Sequence, residues 1–395
     1  MRCLVVLPIV PHPPDRGDRL RALDMLRALA TGFDLQLLLL TREAGEASAL
    51  EALAALPAAV ALLPLPPGQR LRGAATGLAR GLPPAITAHW CSGLQRTVAA
   101  RFRGPWDLAV AFQLRAAPYV QAVEARATLL ELTDSLTLYR QRLPWRGRAL
   151  RQRLALSGVH RLEARLPPTF QGCVVSAPAD ADRIAALSGV RPFVIPNGTP
   201  PAHAPRPYRT GGPLLFVGDM RYPPNEDAIT WLVQAAWPRI RLTAPGMRLR
   251  IAGRTTPRVD RLASVPGVEV AGYVTDIARE FDAALAVVNP IRFGSGTNRK
   301  LLDAWAAARP VISSTLGARG LDGTVGESLW LADSAEDWAR AVSALCRDPS
   351  AAARLGQAGF DRLVRLLPRP DAWRQVWTQA IAAGRSPPSR APASP

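Results

Sequence analysis

The segment of this chain best equipped for chemistry is Asn289-Pro290-Ile291-Arg292-Phe293-Gly294-Ser295-Gly296-Thr297-Asn298-Arg299-Lys300-Leu301-Leu302-Asp303-Ala304. An apolar strand-like run, Ala284–Asn289, enters it and a helical pattern, Asn298–Ala308, leaves it. Two glycines strip the turn of side chains, so backbone N–H groups can approach an anion. The start of the helix adds partial positive charge at the same point. Arg292 and Lys300 flank the turn and can neutralise a diphosphate, and Asp303 can accept hydrogen bonds from ribose hydroxyls. When a diphosphate leaves, stabilising its growing charge is a main catalytic task, which makes Lys300 and Arg292 the candidate catalytic pair. The turn alone also fits a purely structural tight turn. It is neither a Walker loop, since no G-K-[ST] follows, nor a dinucleotide fingerprint, since the third glycine is missing.

At 395 residues the chain suits two α/β domains of similar size, and 48% hydrophobic residues can fill two cores. The formal charge is +18, and Lys300 is the only lysine, so arginine carries nearly all of the basic charge. Part of that excess follows the chain's general use of Ala, Arg, Pro and Leu, and part can serve anionic partners or lipid surfaces. Nucleic acid is not expected as a partner, because aromatics are only 6% and no basic run is interleaved with them. Four scattered cysteines, Cys3, Cys91, Cys173 and Cys346, offer neither metal-ligand spacing nor a disulfide framework. No metal and no cofactor is expected. No secretory or spanning segment is read, which leads to the expectation of a cytoplasmic protein.

Apolar runs at Arg2–Leu7, Asp34–Thr41, Ala58–Leu63, Asp107–Phe112, Ala127–Leu132, Gly172–Ser176 and Pro192–Ile195 alternate with helical stretches such as Asp18–Ala30. Near-continuous Val/Leu/Ile runs mark parallel strands buried on both faces. A proline-rich stretch reads as a linker, after which the alternation restarts at Leu214–Val217, Met247–Ala252, Val268–Ala271, Ala284–Asn289, Val311–Ser314 and Ser328–Leu331. The expected organisation is α/β: a Rossmann-like domain over 1–197, a linker over 198–212, a second Rossmann-like domain over 213–370, a helix over 371–384 and a disordered tail over 385–395. The helix, with Trp373 and Trp377 one turn apart, either crosses back to the first domain or caps its own.

Smaller signals lie in the first half. Glu131 and Asp134 stand at a predicted strand end, where a ligand crevice forms in open α/β sheets, so both are acceptor-side candidates; Asp134 could equally cap a helix. The arginines of Arg146–Arg165, beside Leu150, Leu154, Leu156 and Leu162, form either a face for an anionic membrane or a solvated basic helix.

Several motifs in order resemble glycosyltransferase family 4. Gly294-Ser295-Gly296-Thr297, Lys300 and Asp303 followed by Arg309-Pro310-Val311-Ile312-Ser313 resemble its donor-site signature, and Val270-Ala271-Gly272-Tyr273-Val274 with Asp276 its loop near the donor base. Phe216-Val217-Gly218-Asp219-Met220, Val194-Ile195-Pro196-Asn197-Gly198 and Gly17-Asp18-Arg19-Leu20-Arg21 match further stations, the last in exopolysaccharide-associated members. The nearest subfamily is the one tied to bacterial PEP-CTERM/exosortase polysaccharide loci. The resemblance implies a GT-B fold, two Rossmann-like doubly wound domains facing each other across a cleft. The second domain would hold a UDP- or GDP-linked sugar, and the first a glycan or polyprenyl-linked acceptor. It implies transfer with retention and without an essential metal, donor contacts from Gly17, Arg21, Val274, Gly294, Ser295, Gly296, Thr297 and Asp303, and peripheral contact with the inner face of an anionic plasma membrane. The chain departs from the pattern at Ser295 and Asp303, where members often carry two glutamates, at Asp219 for an arginine, at Pro224/Asn225 for a lysine and at Gln113 for a histidine. A non-catalytic nucleotide-sugar-binding protein and a nucleotide-sugar epimerase on the same fold are the alternatives.

Overall fold

The computed structural model describes residues 1–12, 16–41, 53, 56–142, 149–198, 204–294, 298–319, 321, 326–367 and 371–384. The chain divides into two units, Met1–Ile195 with Pro368–Pro395, and Pro196–Leu367.

The first unit is built on strands β1 (Arg2–Leu7), β2 (Asp34–Thr41), β3 (Ala58–Pro64), β4 (Leu108–Phe112), β5 (Thr128–Thr133), β6 (Gly172–Val175) and β7 (Phe193–Val194). They form one parallel sheet in the order β3-β2-β1-β4-β5-β6-β7. Cys3 to Leu7 are fully buried, because helices cover both faces and leave no side for polar alternation. The helix Ala372–Ala383 belongs to this unit. Trp377 meets Phe33 edge-on at 5.3 Å, and Trp373, Val376 and Ala380 join the core under β1 and β2. Of the two placements open for this helix, the structure has the one on the first unit.

The second unit holds β8 (Leu214–Val217), β9 (Leu249–Ala252), β10 (Val268–Gly272), β11 (Ala286–Asn289), β12 (Val311–Ser313) and β13 (Trp330–Leu331), parallel in the order β10-β9-β8-β11-β12-β13. In both units strand order reverses beside the first strand, the doubly wound arrangement that opens a crevice at the carboxyl ends of the strands. The helical stretch after β8 runs as Pro223–Trp231, a π turn Leu232–Ala236 and Trp237–Thr243. Pro238 has no N–H to return to the preceding turn, which accounts for the widened segment.

Two expectations change. The described end of the linker is fastened to the second unit: buried Arg309 donates to the carbonyls of Arg206 (2.9 Å) and Pro207 (3.3 Å), and Tyr208 Oη donates to Leu285 O (3.2 Å). The basic segment Arg146–Arg165 lies partly outside the described residues. Within its helix Ala149–Arg165, Val159 and Leu162 are buried, with Leu162 in the first unit's core, so the apolar side of that half faces inward rather than toward a membrane. Among the described residues no helix is long and apolar enough to cross a membrane. The tail 385–395 lies outside the described residues.

Candidate functional site

In the second unit the crevice edge lies between β8 and β11. The turn after β8 starts at Gly218, where a Cβ would lie 2.7 Å from Asn225 Nδ2; only glycine lets the chain pass there. Asn225 Nδ2 donates to Asp219 O (3.0 Å), and Asn225 Oδ1 accepts from Lys300 Nζ (2.8 Å). Two polypeptide segments on either side of the switch point are thereby joined through one amide. Lys300 Nζ also stands 4.2 Å from the centre of the Phe216 ring. Among the described residues no carboxylate pairs with this ammonium. Burial without a counter-charge pushes its pKa down to about 7. A lysine so placed gains most from an anion arriving beside it.

The expected glycine turn is present at Gly294, whose φ of 136° is open to glycine and strained for other residues. Ser295, Gly296 and Thr297 lie outside the described residues. The helix Arg299–Ala306 begins just beyond them. Asp303 lies within 3.7 Å of Arg299, one turn before it on this helix. Val274, on the loop after β10, packs with Val217 against the cluster containing Leu301 and Leu302, so the base-side loop and the Lys300 helix share a core.

Arg292 differs from expectation in its partner. Its Nε and a terminal nitrogen reach the Asp227 carboxylate at 2.9 and 2.7 Å, and its guanidinium lies 5.6 Å from the centre of the Trp231 ring. Its charge is already shared with a carboxylate, whereas Lys300 has none among the described residues. Sequence reasoning passed over Arg254, whose guanidinium sits 5.4 Å from the centre of the exposed Tyr273 ring. Arg254 follows β9 and Tyr273 follows β10, so both stand at the same carboxyl edge, but no local spacing marks them as a pair.

Gly17 and Arg21 belong to the first unit, on the helix Gly17–Ala30. Arg21 is buried. It donates to Glu131 Oε1 (3.3 Å), Glu131 Oε2 (3.1 Å) and Ile195 O (2.6 Å), and its guanidinium lies over the Trp373 ring. Glu131 also accepts from the Thr133 N–H at 2.7 Å. Burial raises the Glu131 pKa and Arg21 opposes the rise. The candidates Arg21 and Glu131 therefore satisfy one another inside the unit, which removes both from the crevice surface.

Asp134 accepts from Ser176 Oγ at 2.8 Å, while Asp180 accepts from the Ser135 N–H at 2.8 Å. Burial raises the Asp134 pKa; burial and then the Asp134 charge push Asp180 up to about 7. Glu163 accepts from Ser135 Oγ (3.0 Å), Leu136 N (2.6 Å) and Thr137 N (3.2 Å), closing the start of the helix Leu136–Gln141. Asp134 is thus not that helix's cap; Ser135 is, accepting from Leu138 N–H. Two adjacent strand ends hold non-glycine residues in the left-handed region, Gln113 (φ 64°) and Thr133 (φ 67°). Such strain costs about 1–3 kcal/mol per residue and gathers at functional edges. Among the described residues no group of three His, Cys, Asp or Glu side chains is arranged to hold a metal ion. Asp180 and Asp182, two residues apart, turn to different partners, the latter to Arg191 at 2.9 Å.

Residues 212–348 match the family described as Glycosyl transferases group 1. The glycogen synthase of Mycobacterium tuberculosis is 31% identical over 224 residues, which cover 52% of this chain and 52% of that protein. The chain thus spans about half the length of the curated relatives it matches first. Sucrose-phosphate synthase from Thermosynechococcus elongatus superposes with a TM-score of 0.68 at 16% identity, covering 96% of this chain and 97% of its own. Anabaena HepE in complex with UDP and glucose superposes with a TM-score of 0.67 at 13% identity, covering 95% and 98%. The fold is GT-B, and the match to glycosyl transferases group 1 lies within the second unit.

Proposed function

We propose that this protein is a retaining glycosyltransferase that moves a sugar from a nucleoside-diphosphate donor to a hydroxyl of a glycan or lipid-linked acceptor, in bacterial exopolysaccharide or surface-glycan synthesis. One observation carries the proposal: Lys300 is a partly buried ammonium with no carboxylate partner among the described residues, beside a glycine turn and a helix start at the switch point of the second sheet. In the transfer, the bond from the anomeric carbon to the diphosphate breaks and a bond to the acceptor oxygen forms. The acceptor proton leaves with the diphosphate. Lys300 takes the role of stabilising the diphosphate charge. Arg292 assists after exchanging Asp227 for the phosphate, or holds the loop from behind. Gly294, Ser295, Gly296 and Thr297 would offer backbone N–H groups, and Asp303 ribose contacts. Tyr273, next to Val274 and backed by Arg254, is suited to stack on the base. Asp134 is the acceptor-side carboxylate that remains once Glu131 is committed to Arg21.

HepE was solved with UDP and glucose, which makes a uridine nucleotide the first donor to try. The decisive experiment follows hydrolysis of UDP- and GDP-sugars and measures UDP and GDP binding by calorimetry. Hydrolysis with release of the sugar as the donor's own anomer supports the proposal. A second reading, a non-catalytic nucleotide-sugar-binding protein, is favoured by the Arg292–Asp227 pair; nucleotide binding with no turnover on any donor and acceptor would establish it. Absence of binding to either nucleotide defeats both.

A further inference from the structure

The helix Gln69–Ala79 leaves Leu71 79% and Leu78 67% exposed, and it is the one described helix carrying two open large apolar side chains. Its orientation is fixed by two buried glycines one turn apart. A Cβ on Gly73 would lie 2.3 Å from Thr87 O, and one on Gly77 would lie 2.0 Å from Thr87 Oγ1, so this side is pressed onto the one-turn helix Pro84–Thr87. At about 100° per residue, Leu71, Ala75 and Leu78 fall on the opposite face. Charge completes the pattern. Residues 52–106 contain six arginines, Arg70, Arg72, Arg80, Arg96, Arg101 and Arg103, and no Asp or Glu, and all six are exposed.

We propose that the outward face of the helix Gln69–Ala79 docks the first unit onto the surface of an anionic lipid bilayer. Leu71 and Leu78 enter the acyl boundary, and the arginines meet lipid phosphates and anionic headgroups. The combination of apolar insertion with basic attraction is what surface attachment requires, since either signal alone gives marginal binding. A soluble polyanion would use the arginines and leave the leucines without a role. The surface replaces the segment Arg146–Arg165 as the membrane-facing element, and it stands independently of the sugar-transfer proposal.

Co-sedimentation of the full chain with vesicles tests it, using phosphatidylcholine alone and phosphatidylcholine with about a third phosphatidylglycerol, a strongly anionic surface. Binding is expected to the anionic vesicles, falling with added salt. Leu71→Ser with Leu78→Ser should weaken it on the order of tenfold to a hundredfold. Arg70→Ser, Arg72→Ser and Arg80→Ser should each weaken it about fivefold. Both leucines are exposed, so an unchanged melting temperature confirms that folding is intact, and Leu71→Asp with Leu78→Asp provides a second pair. No binding to anionic vesicles, or leucine pairs that bind as the parent does, overturns the proposal. So does light scattering that shows the leucine pairs dissociating a dimer while vesicle binding persists, which would make this face a self-association surface.

Discussion

The two units share a strand order and a doubly wound plan, yet the carboxyl edges of their sheets are furnished with opposite charge. Around β5 and β6 the first unit gathers Asp134, Glu163 and Asp180, held by backbone N–H groups and serine hydroxyls, with the Glu131–Arg21 pair buried behind them. Around β8 and β11 the second unit gathers Lys300, Arg292 and Arg254, with Lys300 answered only by an amide and a ring among the described residues. The fold supplies a crevice in both cases, and the side chains decide what can lie in it. A carboxylate edge suits hydroxyl donors such as a sugar or polyol. A cationic edge with a glycine turn suits a diphosphate. On the proposed function, the two halves of a transfer reaction would fall to units that the same topology built.

If the units are separable in this sense, damage to one core should spare the ligand of the other. Trp377→Ala empties the space against Phe33 and Gly32 in the first unit and should cost about 3–5 kcal/mol there. Two-step melting with a lowered first transition and unchanged UDP affinity is expected. A joint loss of both transitions would show that the units fold as one.

At the site itself the largest effect belongs to Lys300. Lys300→Ala should lower kcat by about 10²–10³ while the melting temperature holds or rises, because a partly buried charge with no carboxylate partner among the described residues is removed. A protonated lysine attracts a diphosphate and a neutral one does not. With a pKa of about 7, UDP affinity of the parent should therefore fall as pH rises above 7, and the alanine variant should lose that dependence. Near-normal turnover in a folded Lys300→Ala protein would place the diphosphate elsewhere.

Much of the fold was legible because parallel strands buried on both faces read as continuous apolar runs; β1, β2 and β8 have the very bounds that their sequences suggest. The glycine turn and Lys300 were legible for a related reason, being local in the chain. What was not legible is partnership across distance. Arg21 and Glu131, 110 residues apart, read as two separate site residues and turn out to hold each other. Arg292 and Asp227, 65 apart, and Lys300 and Asn225, 75 apart, are likewise invisible to spacing. The helix Gln69–Ala79 escaped notice because its buried side is made of glycine and its leucines point outward, the reverse of the pattern by which a helix is recognised.

The opposite charge of the two edges should also appear in their response to pH. Asp180 has an ordinary pKa of 3.8 and about 7 in the folded first unit. Between those values the folded state binds the extra proton, so stability is greatest below pH 4 to 5 as far as this group is concerned and is lost as pH rises through 7. Lys300 behaves in the other sense: its pKa falls from 10.5 to about 7, so its burden on the second unit is relieved as pH rises through that interval. Scanning calorimetry from pH 5 to pH 8 should show the first transition moving down, on the order of 2–4 °C for each kcal/mol lost. Asp180→Asn should flatten that slope, and an unchanged slope would exclude Asp180 as its source.

The smallest expected effect is none at all. If the cationic edge stabilises the leaving diphosphate without a divalent ion, activity should survive excess EDTA. The protein side of a metal site would need oxygen ligands that converge, and hard cations take six or more. Among the described residues the candidate carboxylates are already spent: Glu131 on Arg21, Asp227 on Arg292, Asp180 on a backbone N–H and Asp182 on Arg191. Asp303, with Arg299 beside it, is the carboxylate nearest the turn, and one carboxylate can still contribute to a magnesium ion that is held mainly by donor phosphates. The discriminating measurement is therefore the transfer rate with and without EDTA, in the parent and in Lys300→Ala. Equal rates in the parent mean that the protein's own cations suffice. A parent that stops in EDTA and recovers with Mg²⁺ would mean that Lys300 assists a metal rather than replacing one, and the division of labour between the two edges would have to be redrawn around that ion.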